Sequence, residues 1–139
     1  MSYTIYTDGG SRGNPGPSGI GGVIRNDSGE VICEISEYLG IQTNNYAEYT
    51  SLYTALLKAI DLELCNAEIN IFMDSKLVVE QVNERWKVKN ENLKEVYLKI
   101  KELLKQFENV SIDHIPRKLN ADADTLANKA MDLFDKKNK

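Results

Sequence analysis

The fold of this chain depends on two stretches of the same kind, YTIYTDGG at residues 3–10 and INIFMD at residues 69–74. Each is a run of β-branched and aromatic residues that leads to an aspartate, which is typical of a short strand leaving a sheet. Sites in open α/β sheets form beyond the carboxyl ends of strands, so Asp8 and Asp74 converge if these strands are neighbours. Taken singly, Asp8 is also a common turn residue, and Asp74 is a common residue before a helix.

The order of the remaining elements predicts a mixed sheet. All nine glycines lie within residues 9–40, so the first third is predicted to be strands and turns and the rest mostly helix. In the helical part, successive strands are joined through helices, and such crossover connections require the strands to pair in parallel. The fold class is therefore α/β, with helices packed on the sheet, in one domain spanning residues 1–139 whose tail, 135–139, we expect to fray. Strands are predicted at 3–7, 20–26, 31–38, 68–73 and 110–115, a loop at 9–19, and helices at 46–62, 75–83, 91–107 and 120–134.

The composition is that of an ordinary globular domain, with 139 residues of which 42% are hydrophobic and 27% charged. This excludes disordered and fibrous classes. No apolar run approaches the roughly 18 residues of a membrane helix, and no signal peptide is recognisable, so we expect a cytoplasmic protein, monomeric and without membrane contacts. Cys33 and Cys65 form no metal or redox motif, and we expect reduced thiols. The net charge of −4, taken alone, argues against a nucleic-acid-binding protein.

Two predicted helices carry a carboxylate on a face that is otherwise mostly apolar. Glu48 shares a helix face with residues 52, 55, 56 and 59, which are all Leu or Ala. A carboxylate buried there needs a cation or dense hydrogen bonding, although Glu48 also suits the first turn of a helix through the helix dipole. Asp124 stands on a similar face of the last helix, whereas the face of Asp122 is polar, so Asp122 should be solvated.

Four carboxylates that converge at the ends of elements would repel one another, and their pKa values would rise unless cations neutralise them. Hard divalent cations with oxygen ligands are the natural solution, and Mg²⁺ suits a few carboxylates together with substrate phosphates. Two such ions about 4 Å apart are a known arrangement for phosphodiester displacement. The sequence therefore predicts a metal site at this edge of the sheet, built from Asp8, Glu48, Asp74 and Asp124.

Four separate motifs of this sequence resemble the type 1 ribonuclease H family. They are TDGGS at 7–11 with NPG at 14–16, TNNYAE at 43–48, DS at 74–75, and N-x-x-A-D-x-L-A at 120–127. The resemblance spans nearly the whole chain, with the motifs in the family's order. It implies a ribonuclease H-like fold, with a five-stranded mixed sheet in the order 3-2-1-4-5 flanked by helices. It also implies endonucleolytic hydrolysis of the RNA strand of RNA–DNA hybrids, with Asp8, Glu48, Asp74 and Asp124 as ligands of Mg²⁺ or Mn²⁺.

The mechanism expected from this resemblance uses two ions with the substrate bound. One would orient and acidify the attacking water and the other would stabilise the leaving 3′-oxygen, giving 5′-phosphate and 3′-hydroxyl ends. The RNA strand would be chosen through its 2′-hydroxyls in the wide minor groove. Backbone at the glycines of the first motif can approach a sugar-phosphate closely. The implied substrate contacts are Gly9, Gly10, Ser11, Asn14, Thr43, Asn44 and Asn45, with Thr43 at a DNA phosphate.

The position of the family's loop histidine is open in this sequence. Many members carry a histidine on the loop before the last helix, where it is thought to aid proton transfer or product release. His114, the only histidine, has the family's spacing to Asp124. Strand alternation can also place His114 at the end of the last strand, in which case Arg117 would take the role of the loop residue. The remaining alternative is that His114 is a half-buried strand residue without a role.

The basic protrusion that some members use to hold substrate is predicted to be missing or short, because RWKVK at 85–89 leads directly into the helix at 91. Residues 85–105 still hold seven Lys or Arg against three Glu. Trp86 is expected either to flank a DNA phosphate channel or to lie in the core. Binding would then depend on local patches, and it should be salt-sensitive and weaker than in members with the protrusion. A binding module without catalysis and a phosphotransfer enzyme on the same sheet are the competing hypotheses.

Overall fold

The structure is a computed structural model that describes residues 1–137, with side chains described through residue 134. It contains a five-stranded sheet and four helices in the described part of the chain. In chain order the elements are β1 (Ser2–Ser11), β2 (Gly16–Arg25), β3 (Val31–Gln42), α1 (Asn44–Asp61), β4 (Glu68–Met73), α2 (Lys76–Val82), α3 (Glu91–Leu104), β5 (Asn109–His114) and α4 (Ala121–Lys137), with a short 3₁₀ turn at Arg117–Leu119 before α4.

The sheet has the strand order β3-β2-β1-β4-β5, which confirms the expected mixed topology. β1 pairs antiparallel with β2, and β2 pairs antiparallel with β3. β4 runs parallel to both β1 and β5. Because Thr7 pairs with Met73 in the parallel register, the next residues, Asp8 and Asp74, lie side by side where the pairing of β1 with β4 ends.

The helices pack on both faces of the sheet. α1 begins after Thr43, whose hydroxyl accepts a hydrogen bond from the backbone amide of Tyr46 and so caps the helix. The predicted apolar face of α1 is buried: Leu52, Ala55, Leu56 and Ala59 have no exposed surface. α4 lies on the opposite face, since a Cβ at Gly9 would point at Ala47 of α1 and one at Gly10 at Met131 of α4.

The loop predicted at residues 9–19 is shorter than expected. β1 continues to Ser11 and β2 begins at Gly16, so only residues 12–15 connect the two strands. Gly13 and Gly16 serve the short turn, but other glycines of β1 and β2 allow helices to approach the sheet. A Cβ on Gly9 would lie 2.3 Å from the carbonyl carbon of Ala47, and one on Gly21 would lie 2.1 Å from the carbonyl oxygen of Ala123. Only glycine permits this contact between helix and strand backbones.

The helix ends differ from the prediction by a few residues. α3 ends at Leu104, three residues before its predicted end, and α4 continues to Lys137, beyond its predicted end at residue 134. The fraying tail was predicted for 135–139, of which residues 138–139 lie outside the described residues. Within the part of the chain that the structure covers, no helix combines the length and the apolar character needed to cross a membrane.

Candidate active site

Three carboxylates from three elements meet at the carboxyl edge of the sheet. Asp8 lies in β1, Glu48 in the first turns of α1, and Asp74 directly after β4, and one oxygen atom of each lies within 4.8 Å of the others. The backbone amide of Gly9 donates to Asp8 Oδ1 at 3.0 Å and to Glu48 Oε1 at 3.2 Å. The close approach of β1 and α1 at Gly9 therefore orients two of the three carboxylates at once.

Burial makes the negative charge of this cluster unfavourable. Asp8 is 6% exposed and Glu48 is 9% exposed. Burial raises the pKa of Asp8 to about 7, with further contributions from the charges of Asp74 and Asp124, although a hydrogen bond with Glu48 acts in the opposite direction. The pKa of Glu48 is raised well above its usual range by burial and by the charge of Asp8. At neutral pH the cluster must therefore hold protons or bind cations.

The donor set fits a divalent cation with a preference for oxygen. Glu48 Oε2 is buried and has no hydrogen-bond partner among the described residues. A buried carboxylate oxygen without a partner is costly, and coordination to a cation satisfies it. Because every candidate ligand is a carboxylate, the site suits Mg²⁺ or Mn²⁺ better than metals that prefer nitrogen or sulfur.

Asp124 borders the same site from the first turn of α4. It lines an open cleft of about 490 Å³ together with the three clustered carboxylates, but it is not part of the group within 4.8 Å. Arg117 lies beside it, with the guanidinium Nη2 at 3.7 Å from Asp124 Oδ1. The structure thus brings all four predicted carboxylates to one cleft, with Asp124 near enough to Asp8 to raise the pKa of that carboxyl, although Asp124 lies outside the group of three.

Asp124 and its neighbour Asp122 lie in different surroundings. Asp122 is exposed and pairs with Arg25 of β2, at 2.8 Å between Asp122 Oδ2 and Arg25 Nη2. It is not among the residues that line the cleft. The prediction that Asp122 is solvated is confirmed.

The residue at which β5 ends decides whether His114 or Arg117 lies in the loop before α4. His114 is the last residue of β5, in register with Met73, and it is exposed. Arg117 lines the cleft, whereas His114 is not among the lining residues. The structure therefore has the arrangement in which His114 ends the strand and Arg117 stands in the loop, and the chemical role of either residue stays a prediction.

The predicted substrate contacts divide into cleft-lining residues and supporting residues. Five of the seven implied by the resemblance line the cleft: Gly9, Gly10, Ser11, Asn44 and Asn45. Asn44 Oδ1 accepts a hydrogen bond from the Ser11 amide at 2.7 Å, and Asn14 Oδ1 accepts one from the Asn44 amide at 3.1 Å. Asn14 thus holds the start of α1 in place, and Thr43 serves as the cap of the same helix.

Trp86 lies on the surface, so the core alternative for this residue is wrong. It is 45% exposed, and the ammonium of Lys76 lies 6.0 Å from the centroid of its ring. The residues between α2 and α3, 83–90, contain no helix, which agrees with the expected short connection in place of a protrusion. Trp86 does not line the cleft itself.

Sequence reasoning missed several residues of this site. Arg12 and Asn128 line the cleft, although no sequence pattern pointed to them. The sequence indicated Asn120 as the polar residue that opens the last helix, on the face of Asp124, but assigned it no role; it is buried, and its Nδ2 donates to the carbonyl oxygen of Thr7 at 2.8 Å.

Comparison with known proteins agrees with this geometry. A family model described as reverse transcriptase-like matches residues 6–130. The bifunctional protein Rv2228c of Mycobacterium tuberculosis is 45% identical over 133 residues, which cover 95% of this chain and 36% of that protein. The ribonuclease HI of Halobacterium salinarum is 40% identical, over 91% of this chain and 63% of that protein. The chain thus spans about a third of the first relative and less than two thirds of the second.

Solved structures extend the agreement to the whole fold. The crystal structure of RNase H1 from Halobacterium salinarum matches with a TM-score of 0.90 at 39% identity, covering 95% of this chain and 98% of that one. LC11-RNase H1, crystallised in complex with an RNA/DNA hybrid, matches with a TM-score of 0.89 at 44% identity, covering 94% of this chain and 96% of that one. The sequence match, the shared fold and the carboxylate cluster together establish that the chain belongs to the type 1 ribonuclease H family, a family of hydrolases.

Proposed function

We propose that this domain is an endoribonuclease that hydrolyses the RNA strand of RNA–DNA hybrids, using two Mg²⁺ or Mn²⁺ ions with the substrate bound and leaving 5′-phosphate and 3′-hydroxyl ends. The observation that carries the proposal is the meeting of Asp8, Glu48 and Asp74 oxygens within 4.8 Å at an open cleft. The RNA/DNA hybrid bound in the LC11-RNase H1 crystal structure supports the choice of substrate.

Asp8, Glu48, Asp74 and Asp124 are the residues that would hold the metal ions. The ions, when bound, would neutralise the cluster, acidify the attacking water and stabilise the charge on the leaving oxygen. The chain's own part is positional. The Gly9 amide orients Asp8 and Glu48, and Arg117 offsets the charge of Asp124.

The other cleft residues suit a sugar-phosphate backbone. Gly9 and Gly10 bring peptide groups to the cleft without side chains in front of them, so a nucleic-acid strand can approach closely. Asn44 and Asn45, at the start of α1, offer amides next to the carboxylates. Amide side chains that line the same cleft as the carboxylates are suited to contact 2′-hydroxyls and base edges in a minor groove, which distinguishes an RNA strand from DNA.

A strand-specific cleavage assay tests the proposal. Hybrids labelled on the RNA strand or on the DNA strand, duplex RNA and duplex DNA of one sequence are incubated with the protein in Mg²⁺, in Mn²⁺ and in EDTA. We expect cleavage of the RNA strand of the hybrid alone, with 5′-phosphate ends, only when a divalent ion is present, and none with Asp74→Asn. Hybrid binding without cleavage at any concentration of either ion would contradict the proposal and favour a binding module.

A further inference from the structure

Gln81 is a buried amide in α2 whose side chain is hydrogen-bonded at both ends. It is 6% exposed. Its Oε1 accepts from the hydroxyl of Tyr49 in α1 at 2.5 Å, and its Nε2 donates to the backbone carbonyl of Lys87 at 3.0 Å. A buried amide is costly unless both of its polar atoms are paired. Gln81 thus joins a core helix to the segment of residues 83–90, which we call the α2–α3 loop.

Further contacts hold the α2–α3 loop against α2. The backbone amides of Arg85 and Trp86 both donate to the carbonyl of Glu80, at 2.9 and 3.2 Å. The Arg85 guanidinium also pairs with both carboxylate oxygens of Glu80, at 2.8 and 2.9 Å. Val88 is half-buried against the core, whereas its neighbours Lys87 and Lys89 are exposed. A loop fixed in this way presents Trp86 and the two lysines as a rigid group.

This group is connected to the elements that carry the carboxylates of the cleft. Trp86 lies beside Lys76, and Lys76 is only two residues after Asp74 in the chain. Tyr49, at the other end of the Gln81 bridge, directly follows Glu48 and is fully buried. The network from Tyr49 through Gln81 to Lys87 therefore connects the helix that carries a metal-site carboxylate with the exposed cations of the α2–α3 loop.

We propose that Gln81 is a positioning residue that sets the place of Trp86, Lys87 and Lys89 relative to the cleft, so that they meet the phosphate backbone of a bound duplex. This role rests on the proposed function, since it requires a nucleic-acid substrate. The chain lacks room for a larger basic element between α2 and α3, and a small group of cations binds well only when its geometry is fixed in advance. Gln81 acts on binding through the loop and does not touch the reacting atoms.

The test compares Gln81→Met with the wild-type chain, because methionine has a similar volume but pairs with neither Tyr49 nor Lys87. We expect KM for the hybrid to rise about five- to ten-fold with kcat changed by less than about two-fold, because uniform binding is weakened. The slope of log affinity against log salt should become shallower by about one for each phosphate that the loop no longer neutralises. Tyr49→Phe, which leaves the bond to Lys87, should show a smaller change in the same direction.

Trp86 provides a second measurement that does not require activity, because it is the only tryptophan of the chain. We expect Gln81→Met and Tyr49→Phe to increase acrylamide quenching of its fluorescence in the free protein. Ile100→Val, a core change in α3 outside this network, is the matched control and should leave KM, the salt slope and the quenching unchanged. If Gln81→Met does not fold, Tyr49→Phe carries both measurements.

The possible outcomes separate this proposal from the proposed function. A wild-type chain that cleaves hybrids, with unchanged KM, salt slope and Trp86 quenching in Gln81→Met, would overturn the role of Gln81 alone. An equal rise in KM in Ile100→Val would also overturn it, because the effect would then be general destabilisation. A wild-type chain that neither binds nor cleaves a hybrid would overturn the proposed function and, with it, the binding role of the loop.

Discussion

Asn120 is tied to Thr7 across 113 positions of the chain by a hydrogen bond from its side-chain Nδ2 to the Thr7 carbonyl oxygen, at 2.8 Å. Thr7 directly precedes Asp8 in β1. The carbonyl of Asn120 in turn accepts the backbone amide of Asp124 at 3.1 Å, as the first turn of α4 begins. One buried asparagine therefore sets the position of Asp124 relative to Asp8.

We expect Asn120→Leu to lower both stability and turnover. The change leaves the buried Thr7 carbonyl without its donor, at a cost of roughly 1–3 kcal/mol in the free energy of unfolding, and it releases the start of α4. Urea unfolding and steady-state kinetics measure the two effects. Ser36→Ala removes a different tie to α4, from Ser36 Oγ to the carbonyl of Leu126 at the surface, and should change neither by much. Equal effects of the two variants would refute the special role of Asn120.

The raised pKa of Asp8 predicts that Asp8→Asn stabilises the metal-free protein at neutral and higher pH. The pKa is about 7 in the folded protein against an ordinary value of 3.8, so the folded state holds the extra proton between these values. The contribution of the Asp8 carboxyl to the free energy of unfolding therefore falls as pH rises from about 4 to about 7, and it stays low above pH 7. The aspartate-to-asparagine change removes this loss, which is on the order of 4 kcal/mol at most at pH 8.

Thermal unfolding in EDTA at pH 5 and at pH 8 measures this effect. The Tm of Asp8→Asn should exceed that of the wild type at pH 8, and the difference should shrink at pH 5. Addition of Mg²⁺ should raise the Tm of the wild type more than that of the variant, because a bound cation removes the same repulsion. A lower Tm for Asp8→Asn at pH 8 in EDTA would count against a strained carboxylate cluster.

Asp122 provides a matched control for the test of Asp124 as the fourth carboxylate of the site. We expect Asp124→Asn to reduce kcat by about 100-fold or more, because it removes a charge at the cleft that helps to hold the catalytic ions. Asp122→Asn breaks only a surface ion pair with Arg25 and should keep near-normal turnover. Both variants should fold, as judged by their Tm. Loss of turnover in Asp122→Asn with activity retained in Asp124→Asn would reverse the assignment.

Arg117 should matter more than His114 for turnover. Arg117 lines the cleft and lies 3.7 Å from Asp124, whereas His114 ends β5 outside the lining. We expect Arg117→Ala to lower kcat several-fold, because it removes one charge interaction near the reacting phosphate. His114→Ala should change kcat little. A pH–rate profile that loses an ionisation step only in His114→Ala would assign the proton-transfer role to the histidine instead.

The features of the fold and the site that depend on a local pattern of residues could be predicted from the sequence. The alternating run before Asp8 and the apolar face shared by Glu48 follow from strand and helix periodicity, and both are where the structure has them. The glycines of residues 9–19 were misread as a loop, because a glycine that relieves contact with Ala47 looks the same in sequence as one that permits a turn. The Asn120 bond to Thr7 joins the two ends of the fold, and no local pattern specifies it. Whether His114 or Arg117 lines the cleft depends on the residue at which β5 stops pairing with β4.

The most direct test of the central claim is anomalous diffraction from crystals grown with Mn²⁺ and an RNA–DNA hybrid. Asp124→Asn keeps the three-carboxylate cluster and slows cleavage, so it suits this measurement. We expect two anomalous peaks roughly 4 Å apart, both within reach of oxygens of Asp8 and Asp74, with the hybrid's RNA phosphate between the ions. Density for the hybrid without Mn²⁺ at Asp8 and Asp74, or with Mn²⁺ bound only elsewhere, would contradict the claim that these carboxylates form a metal-dependent nuclease site.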